Sequence, residues 1–298
     1  MFSTVVIYRD APELLRRALR SVQRQLYPPK EVIVIECARH GDAPFADLTK
    51  GCDSGIEIVC LEALGADDAE ARWLGIQRAR GELITFLDAR DELLPSAYVN
   101  MLNLFEHRPN LEVAYGRSVV RHEGGCFTPS EGMCQPHGDV LESIVKRDLV
   151  ISPSTFVTRR RTLMERTFAG DDPVRDDWQE FLVRTAMETS FGCVHEDVAI
   201  VAHDTLSSHG DNPVDHARLL GRLDEILRRQ LGDRVVDEAR AICEFQVGKE
   251  CWRNGNTGRS LEHLRRATTL DQHRLRYWLL RGVVGSRHLL DRHLKRAS

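Results

Sequence analysis

The stretch that decides the fold lies between residues 71 and 92 and reads ARWLGIQRARGELITFLDARDE. Its first ten residues are good helix formers with helical spacing of the larger side chains, and Gly81 suits a left-handed residue that ends such a helix. The apolar run 83–87 is typical of a strand buried on both faces of a mainly parallel sheet. Asp88 and Asp91 follow this run directly. We therefore expect both carboxylates at the carboxyl edge of the sheet, where open α/β sheets bind ligands.

The residues before this stretch predict a strand–helix–strand unit. Residues 4–7 and 31–36 are strand-like, and a helix with one apolar face is expected from Pro12 to about residue 26. The crossover between two such parallel strands is expected to be right-handed. Residues 56–61 alternate as a third strand would.

The residues after the stretch predict further mixed elements. We expect a helix from Pro95 to about residue 106 and a helix at 140–145. Short strands are expected at 113–115 and 118–120, and a longer one at 195–202. Residues 122–137 are rich in Gly, Pro and Ser, which indicates either a mobile loop or a Gly-rich hairpin.

Composition places the chain among ordinary globular proteins. Its 298 residues suit one large domain, or one domain with a smaller one, and 42% are apolar and 29% charged. The net charge of −4 gives no electrostatic argument for a nucleic-acid partner or an anionic membrane. Since no apolar run approaches the roughly 20 residues of a membrane span and Met1 leads directly into a strand, we expect a cytoplasmic protein without a signal peptide.

The eight cysteines include no C-x-x-C pair. This pattern indicates free thiols in a reducing compartment. A zinc site formed by Cys126, Cys134 and His137 is the alternative.

The stretch at 71–92 resembles the signature of the family 2 glycosyltransferases, A-R-N-x-G-x-x-x-A-x-G-x-x-I-x-F-L-D-x-D-D. The family's opening segment is also visible in the PELL, SV and YPPKEVIV runs between residues 12 and 34, and residues 151–160 resemble its I-x-x-S-S-x-x-x-R-R segment. Two residues depart from the signature: Trp73 stands for Asn, and Arg90 stands for the middle Asp.

The resemblance implies an α/β fold of the GT-A type, a Rossmann-like mixed sheet flanked by helices, over residues 1–212. It implies an inverting glycosyltransferase that moves a sugar from a nucleotide-diphosphate donor to an acceptor hydroxyl on a cell-surface glycan, a lipid-linked molecule or another acceptor. The alternative is a non-catalytic relative that binds a glycan, a nucleotide or a partner protein. An unrelated α/β nucleotide-binding protein is a third reading.

The resemblance also implies the residues of the donor site. Glu36 keeps one carboxylate of the family's D-D-G-S segment, and Cys37 replaces the other. Arg9 is a candidate for contacting the diphosphate or base, although solvated loop arginines fit the same sequence. A divalent cation, Mn²⁺ or Mg²⁺, would be held by Asp88, Asp91 and His209.

Arg90 argues against a strong metal site. A guanidinium about 4 Å from a dication would repel it by roughly 8 kcal/mol at an effective dielectric constant near 20. We therefore expect weak or absent metal use, with Arg90 clamping the diphosphate, because guanidinium geometry suits phosphate oxygens. His209 would then face the diphosphate, or be an inert surface histidine.

The resemblance assigns the general base to Asp177, in the run DDW that matches the family's E-D-W. This carboxylate would remove the proton of the acceptor hydroxyl. The sequence alone fits equally well a helix N-cap at Asp176.

Residues 213–298 form a separate helical region in the sequence. One amphipathic helix is expected at 217–231, followed from residue 238 by one tetratricopeptide-like helix pair with Gly248 and Leu264 at its small and apolar positions. Since one pair cannot bury its own face, we expect it to pack on the catalytic domain, a second subunit or a partner. The basic tail at 281–296 is a solvated helix or contacts anionic lipid or polymer, which leaves peripheral association with the inner membrane face open.

Overall fold

The computed structural model describes residues 1–9, 12–38, 55–129, 136–167, 178–203 and 212–297, and of residues 289–297 it describes the backbone alone. The chain divides into two compact units. The first comprises Met1–Leu141 and Leu149–His209, and the second comprises Glu142–Asp148 and Gly210–Ser298.

The first unit contains strands and helices, and the helix Leu141–Val145 extends from Leu141 of this unit into the second unit. The strands are β1 (Phe2–Tyr8), β2 (Glu31–Glu36), β3 (Glu57–Glu62), β4 (Leu83–Asp88), β5 (Glu92–Leu93), β6 (Val113–Arg121), β7 (Phe127–Pro129), β8 (Phe156–Arg159) and β9 (Phe191–Ala202). The helices up to residue 188 are α1 (Pro12–Gln23), α2 (Asp68–Arg78), α3 (Ala97–His107), α4 (Leu141–Val145), α5 (Arg160–Thr162, continued by a π-turn, Leu163–Thr167) and α6 (Trp178–Glu188).

The strands form one mixed sheet in the order β3-β2-β1-β4-β8-β6-β9-β5, with β7 paired to β6. The four strands β3, β2, β1 and β4 are parallel, and β8 runs antiparallel between β4 and β6. The chain proceeds from β1 to β2 and β3 on one side and then returns to β4 on the other. The order therefore reverses at β1, and a crevice is expected outside the carboxyl ends of β1 and β4.

Close packing of α2 on the sheet depends on Gly75. A Cβ atom at this position would lie 2.3 Å from Cγ1 of Val5 on β1, so a larger residue would push the helix away from the strand. The glycine of the signature is thus explained by contact between helix and strand.

The expected left-handed conformation at Gly81 is wrong. Helix α2 already ends at Arg78, its C-cap residue Ala79 is extended with φ −62° and ψ 136°, and Gly81 is not among the residues with positive φ. Gly81 is required for another reason: a Cβ there would lie 2.4 Å from Oγ of Ser3, which accepts the Gly81 N–H at 2.7 Å. The close approach of Ser3, and not a left-handed backbone conformation, therefore requires a glycine at position 81.

Several element boundaries differ from the expected ones. Helix α1 ends at Gln23, and the expected helix at Pro95 begins only at Ala97. The two short strands at 113–115 and 118–120 are one strand, β6, whose register against β9 shifts on both sides of Arg117. The hairpin alternative is confirmed at residues 119–129, where β7 pairs antiparallel with β6, and residues 130–135 lie outside the described ranges.

The second unit contains five further helices among the residues described: α7 (Pro213–Arg222), α8 (Asp224–Leu231), α9 (Asp233–Arg253), α10 (Thr257–Leu270) and α11 (Leu275–Ala297). The single helix expected at 217–231 is wrong, because Leu223 leaves the helical region with φ −97° and ψ 9° and separates α7 from α8. Helices α9 and α10 pack closely at Gly248, whose carbonyl accepts the Ser260 hydroxyl at 2.7 Å. Helix α11 adds Tyr277, whose ring centroid lies 4.6 Å from that of Phe245.

The six cysteines within the described ranges are free thiols. Cys193 is buried, and burial raises the pKa of its thiol to about 11. Of the zinc alternative, Cys134 lies outside the described residues, and Nε2 of His137 lies 3.1 Å from Nε2 of His195. In the described part of the chain, no helix has the length and apolar character needed to cross a membrane.

Candidate functional site

The register of the parallel strands brings the predicted donor-site residues to one edge. Tyr8 on β1 lies opposite Glu36 on β2, and Ile7 on β1 lies opposite Asp88 on β4. The residues that follow these strand ends therefore meet at the crevice where the strand order reverses. Three polar residues found from the sequence, Arg9, Glu36 and Asp88, converge there.

Arg90 is the internal counter-ion of Asp88. Its backbone N–H and its Nε both donate to Oδ1 of Asp88 at 2.9 Å, and its Nη2 donates to Oδ2 at 3.0 Å. The Asp88 side chain is only 11% exposed and that of Arg90 is 25% exposed. The carboxylate expected to bind metal is thus covered by a cation from its own turn.

Asp91 fastens three segments together from a fully buried position. Its Oδ2 accepts the Ser154 hydroxyl at 2.6 Å, and its Oδ1 accepts the backbone N–H of Ala202 at 2.8 Å. The Ser154 Oγ also accepts the backbone N–H of Asp88 at 3.2 Å. Because β8 runs antiparallel to β4, the turn that precedes β8 reaches the end of β4, which places Ser154 there.

Two further arginines hold the acidic turn from its other side. Nη2 of Arg17 and Nη2 of Arg121 donate to the carbonyl of Arg90 at 3.2 and 2.7 Å. Both arginines also pair with Glu92, at 2.9 Å from Arg17 Nε and 2.5 Å from Arg121 Nη1. Sequence reasoning missed Ser154, Arg17, Arg121 and Glu92, because each is defined by its partners from distant parts of the chain.

The other predicted donor-site residues lie at the same sheet edge but have different contacts. Arg9 forms an ion pair with Asp68 at the start of α2, with Nη2 at 2.8 Å from Oδ1 and both side chains about one-third exposed. Glu36 is half-buried at the end of β2. Cys37, beside it, is buried, and desolvation raises the pKa of its thiol, so the group is uncharged at neutral pH.

Comparison with known proteins agrees with this geometry. Residues 3–168 match the family described as glycosyl transferase family 2. The chain belongs to glycosyltransferase family 2. No curated protein matches it by sequence.

Solved structures show that this family 2 chain has the GT-A fold. S. aureus TarS 1-349 in complex with UDP-GlcNAc aligns with a TM-score of 0.62 and 14% identity, covering 91% of this chain and 83% of that one. The longer S. aureus TarS structure gives 0.59 and 13%, covering 92% and 49%, so the chain spans about half of its length. GalNAc-T7 with UDP, GalNAc and Mn²⁺ gives 0.54 and 14%, covering 74% and 47%.

The described residues of this glycosyltransferase family member do not fit an open divalent-cation site. Asp88 is engaged at both oxygens by Arg90, and both oxygens of the buried Asp91 accept bonds from Ser154 and Ala202. In the ranges that the structure describes, no three His, Cys, Asp or Glu side chains are grouped as metal ligands. The third predicted ligand, His209, lies outside those ranges.

The predicted general base, Asp177, also lies outside the described residues, but the residue after it is firmly placed. Trp178 is 1% exposed, and its Nε1 donates to the carbonyl of Ile151 at 2.5 Å. Its ring centroid lies 5.9 Å from that of Phe86 on β4, and the guanidinium of Arg72 lies 5.5 Å from its centroid. The first residue of α6 therefore packs against Phe86, which lies two residues before Asp88 on β4.

Proposed function

We propose that the chain transfers a sugar from a nucleoside-diphosphate donor to an acceptor hydroxyl with inversion at the anomeric carbon. The observation that carries the proposal is the Asp88–Arg90 pair at the crevice between the carboxyl ends of β1 and β4. Such a crevice is where open α/β sheets bind their ligands. The donor bound in the TarS 1-349 complex, UDP-GlcNAc, supports the same class of donor here.

Arg90 supplies the positive charge for the leaving diphosphate in this proposal. Asp88 accepts from Nε and Nη2 of Arg90, and the planar N–H donors of a guanidinium match the geometry of phosphate oxygens. Asp88 then orients the guanidinium instead of binding a cation. The bonds from Arg17 and Arg121 to the Arg90 carbonyl fix the turn that presents it.

Asp177 accepts the acceptor's hydroxyl proton in this mechanism. The acceptor oxygen forms a bond to the anomeric carbon on the face opposite the diphosphate, whose own bond to that carbon breaks and whose oxygen keeps the electron pair. Trp178, the next residue in the sequence after Asp177, packs against Phe86, two residues before Asp88. A cell-surface glycan, a lipid-linked molecule or another hydroxyl acceptor would suit this step.

A second candidate function is binding of a nucleotide or glycan without transfer, or of a partner protein at the same crevice. Two observations favour it: Arg90 covers the carboxylate expected to bind metal, and the neutral Cys37 thiol replaces the second carboxylate of the D-D-G-S segment. In this alternative, the chain would bind its ligand in the crevice but would not catalyse sugar transfer.

Calorimetry with UDP, GDP, dTDP and CDP, each with Mn²⁺ and with EDTA, tests the donor site. We expect one diphosphate to bind equally well in EDTA. Replacing Arg90 by Ala is expected to weaken binding about 10- to 100-fold, since a hydrogen bond to a charged group contributes about 1.5–3 kcal/mol. Arg90→Lys should retain part of the affinity.

Arg117→Ala is the matched control, because Arg117 also forms an ion pair, with Asp197, but away from the acidic turn. It is expected to leave nucleotide affinity unchanged. If no diphosphate binds to the folded protein, both the donor-site assignment and the transfer reaction are wrong. If a diphosphate binds only when Mn²⁺ is present, the donor site stands, but the proposal that Arg90 replaces the metal is wrong.

A further inference from the structure

Helix α11 has two apolar faces, and only one of them is covered within the second unit. Tyr277 and Val284 are fully buried and pack in a cluster with Phe245 and Leu264. On the opposite side the helix exposes four large apolar side chains, the outer face of α11: Leu275 (69% exposed), Trp278 (45%), Leu279 (62%) and Val283 (58%).

The spacing of these residues makes the outer face continuous. Positions 275, 278, 279 and 283 lie at helical intervals of three and four, so they form one stripe along more than two turns. Gly282 and Ser286 are also exposed and leave the stripe unobstructed by large polar side chains. Singly exposed apolar residues are ordinary, whereas a contiguous stripe marks an interaction surface.

The charge around the outer face is strongly positive. Residues 271–298 contain seven Lys or Arg and two Asp, a formal charge of +5 in a chain whose net charge is −4, and Arg274 forms an ion pair with Asp271 at 3.0 Å. Arg276 and Arg287 are exposed on one flank of the stripe. On the other flank, the guanidinium of Arg281 lies 5.0 Å from the ring centroid of Trp278.

We propose that the outer face of α11 binds the surface of an anionic lipid bilayer. A helix that combines an apolar stripe with basic flanks lies in the plane of the membrane interface, with its apolar side chains among the acyl chains and its cations at the headgroups. The Trp278 indole suits that depth, because its N–H already donates to the Gln272 carbonyl at 3.0 Å while its ring stays exposed.

Charge decides between a membrane and a second copy of the chain. Two outer faces packed against each other would bring Arg276 and Arg287 of one copy close to the same arginines of the other. In the part of α11 whose side chains are described, no acidic residue is present to offset that repulsion. Lipid phosphates supply the missing negative charge.

Vesicle sedimentation with the full chain tests the proposal. We expect binding to vesicles of equal parts phosphatidylcholine and phosphatidylglycerol, little binding to phosphatidylcholine alone, and weaker binding at high salt. The double substitution Leu279→Gln and Val283→Gln should weaken the affinity about tenfold or more, since it removes apolar area that would enter the interface. Arg276→Gln with Arg287→Gln should reduce the preference for the anionic vesicles about tenfold or more, because each Lys or Arg near an anionic surface contributes about 1 kcal/mol.

The matched control is Leu26→Gln with Ile226→Gln, which changes two exposed apolar residues elsewhere (73% and 46% exposed). It should bind vesicles as the wild type does. Absence of wild-type binding to anionic vesicles would overturn the proposal, as would equal binding by the Leu279/Val283 variant. A wild-type dimer that the same variant converts to a monomer, without vesicle binding, would assign the face to a second copy. None of these readouts depends on sugar transfer.

Discussion

At the scale of single residues, Arg90 changes what the acidic turn can bind. With an acidic residue in the middle position, two carboxylates would repel each other and attract a cation. With arginine, Asp88 receives three hydrogen bonds from the same residue and is neutralised within the turn. In the proposed reaction, this side chain and not a metal would supply the positive charge for the leaving diphosphate.

His216 provides a prediction of pH dependence in the second unit. It is 1% exposed, its Nε2–H donates to the Val145 carbonyl at 2.8 Å, and its Nδ1 has no hydrogen-bond partner among the residues described. Desolvation lowers its pKa from 6.5 to about 4. The unfolded chain therefore binds a proton that the folded chain excludes, so this contribution to stability is present above pH 6.5 and is lost as the pH falls towards 4.

We expect the free energy of unfolding to fall by about 2 kcal/mol on account of His216 when the pH is lowered from 7 to 5. The substitution His216→Gln, which keeps a donor for Val145 but cannot titrate, should remove that part of the pH dependence. Urea unfolding at the two pH values measures it. His107→Gln changes an exposed histidine and should leave the change in the free energy of unfolding between the two pH values as it is in the wild type. If His216→Gln shows the same change as the wild type, His216 is not the source of this pH dependence.

At the scale of elements, the packing of α2 on β1 predicts opposite effects for two glycine-to-alanine substitutions. Alanine favours a helix interior by about 0.5–1 kcal/mol over glycine. At Gly75 the new methyl group would lie 2.3 Å from the Val5 side chain, so overpacking should destabilise the protein by about 1–3 kcal/mol. At Gly221 in α7 no atom lies within 4 Å of the added Cβ, and the helix preference should prevail.

Chemical unfolding of Gly75→Ala and Gly221→Ala checks this pair. We expect a lower midpoint for the first variant and an equal or higher midpoint for the second. If Gly75→Ala also raises the midpoint, backbone preference and not the contact between helix and strand governs Gly75.

At the scale of the whole molecule, the proposed reaction predicts its own stereochemistry. With a UDP-sugar of α configuration as donor, the first product should carry the β configuration, because attack and departure occur on opposite faces of the anomeric carbon. Time-resolved proton NMR of transfer, or of slow donor hydrolysis by water, distinguishes the two anomers. Formation of the α anomer first would rule out the single displacement.

Asp177→Asn is expected to lower the rate of sugar transfer by a factor of about 10²–10⁴, the usual contribution of a positioned base. It should leave nucleotide affinity unchanged. Asp197→Asn, on β9 and paired with Arg117, is the control and should retain the rate. A rate that survives in Asp177→Asn would remove this residue from the mechanism.

The sequence by itself determined the family, the order of strands and helices around residues 71–92, and the gathering of Glu36 and Asp88 at one sheet edge. These features follow from local patterns, because apolar runs and turn residues act over a few positions and parallel strands share one carboxyl edge. Only the tertiary structure decided that Arg90 covers Asp88, that Asp91 is buried under Ser154 and that α11 turns a second apolar face outward. The burial of Asp91 depends on which distant segments come within contact distance. The Arg90–Asp88 pair and the exposed face of α11 depend on side-chain conformation and packing, which the sequence pattern does not specify.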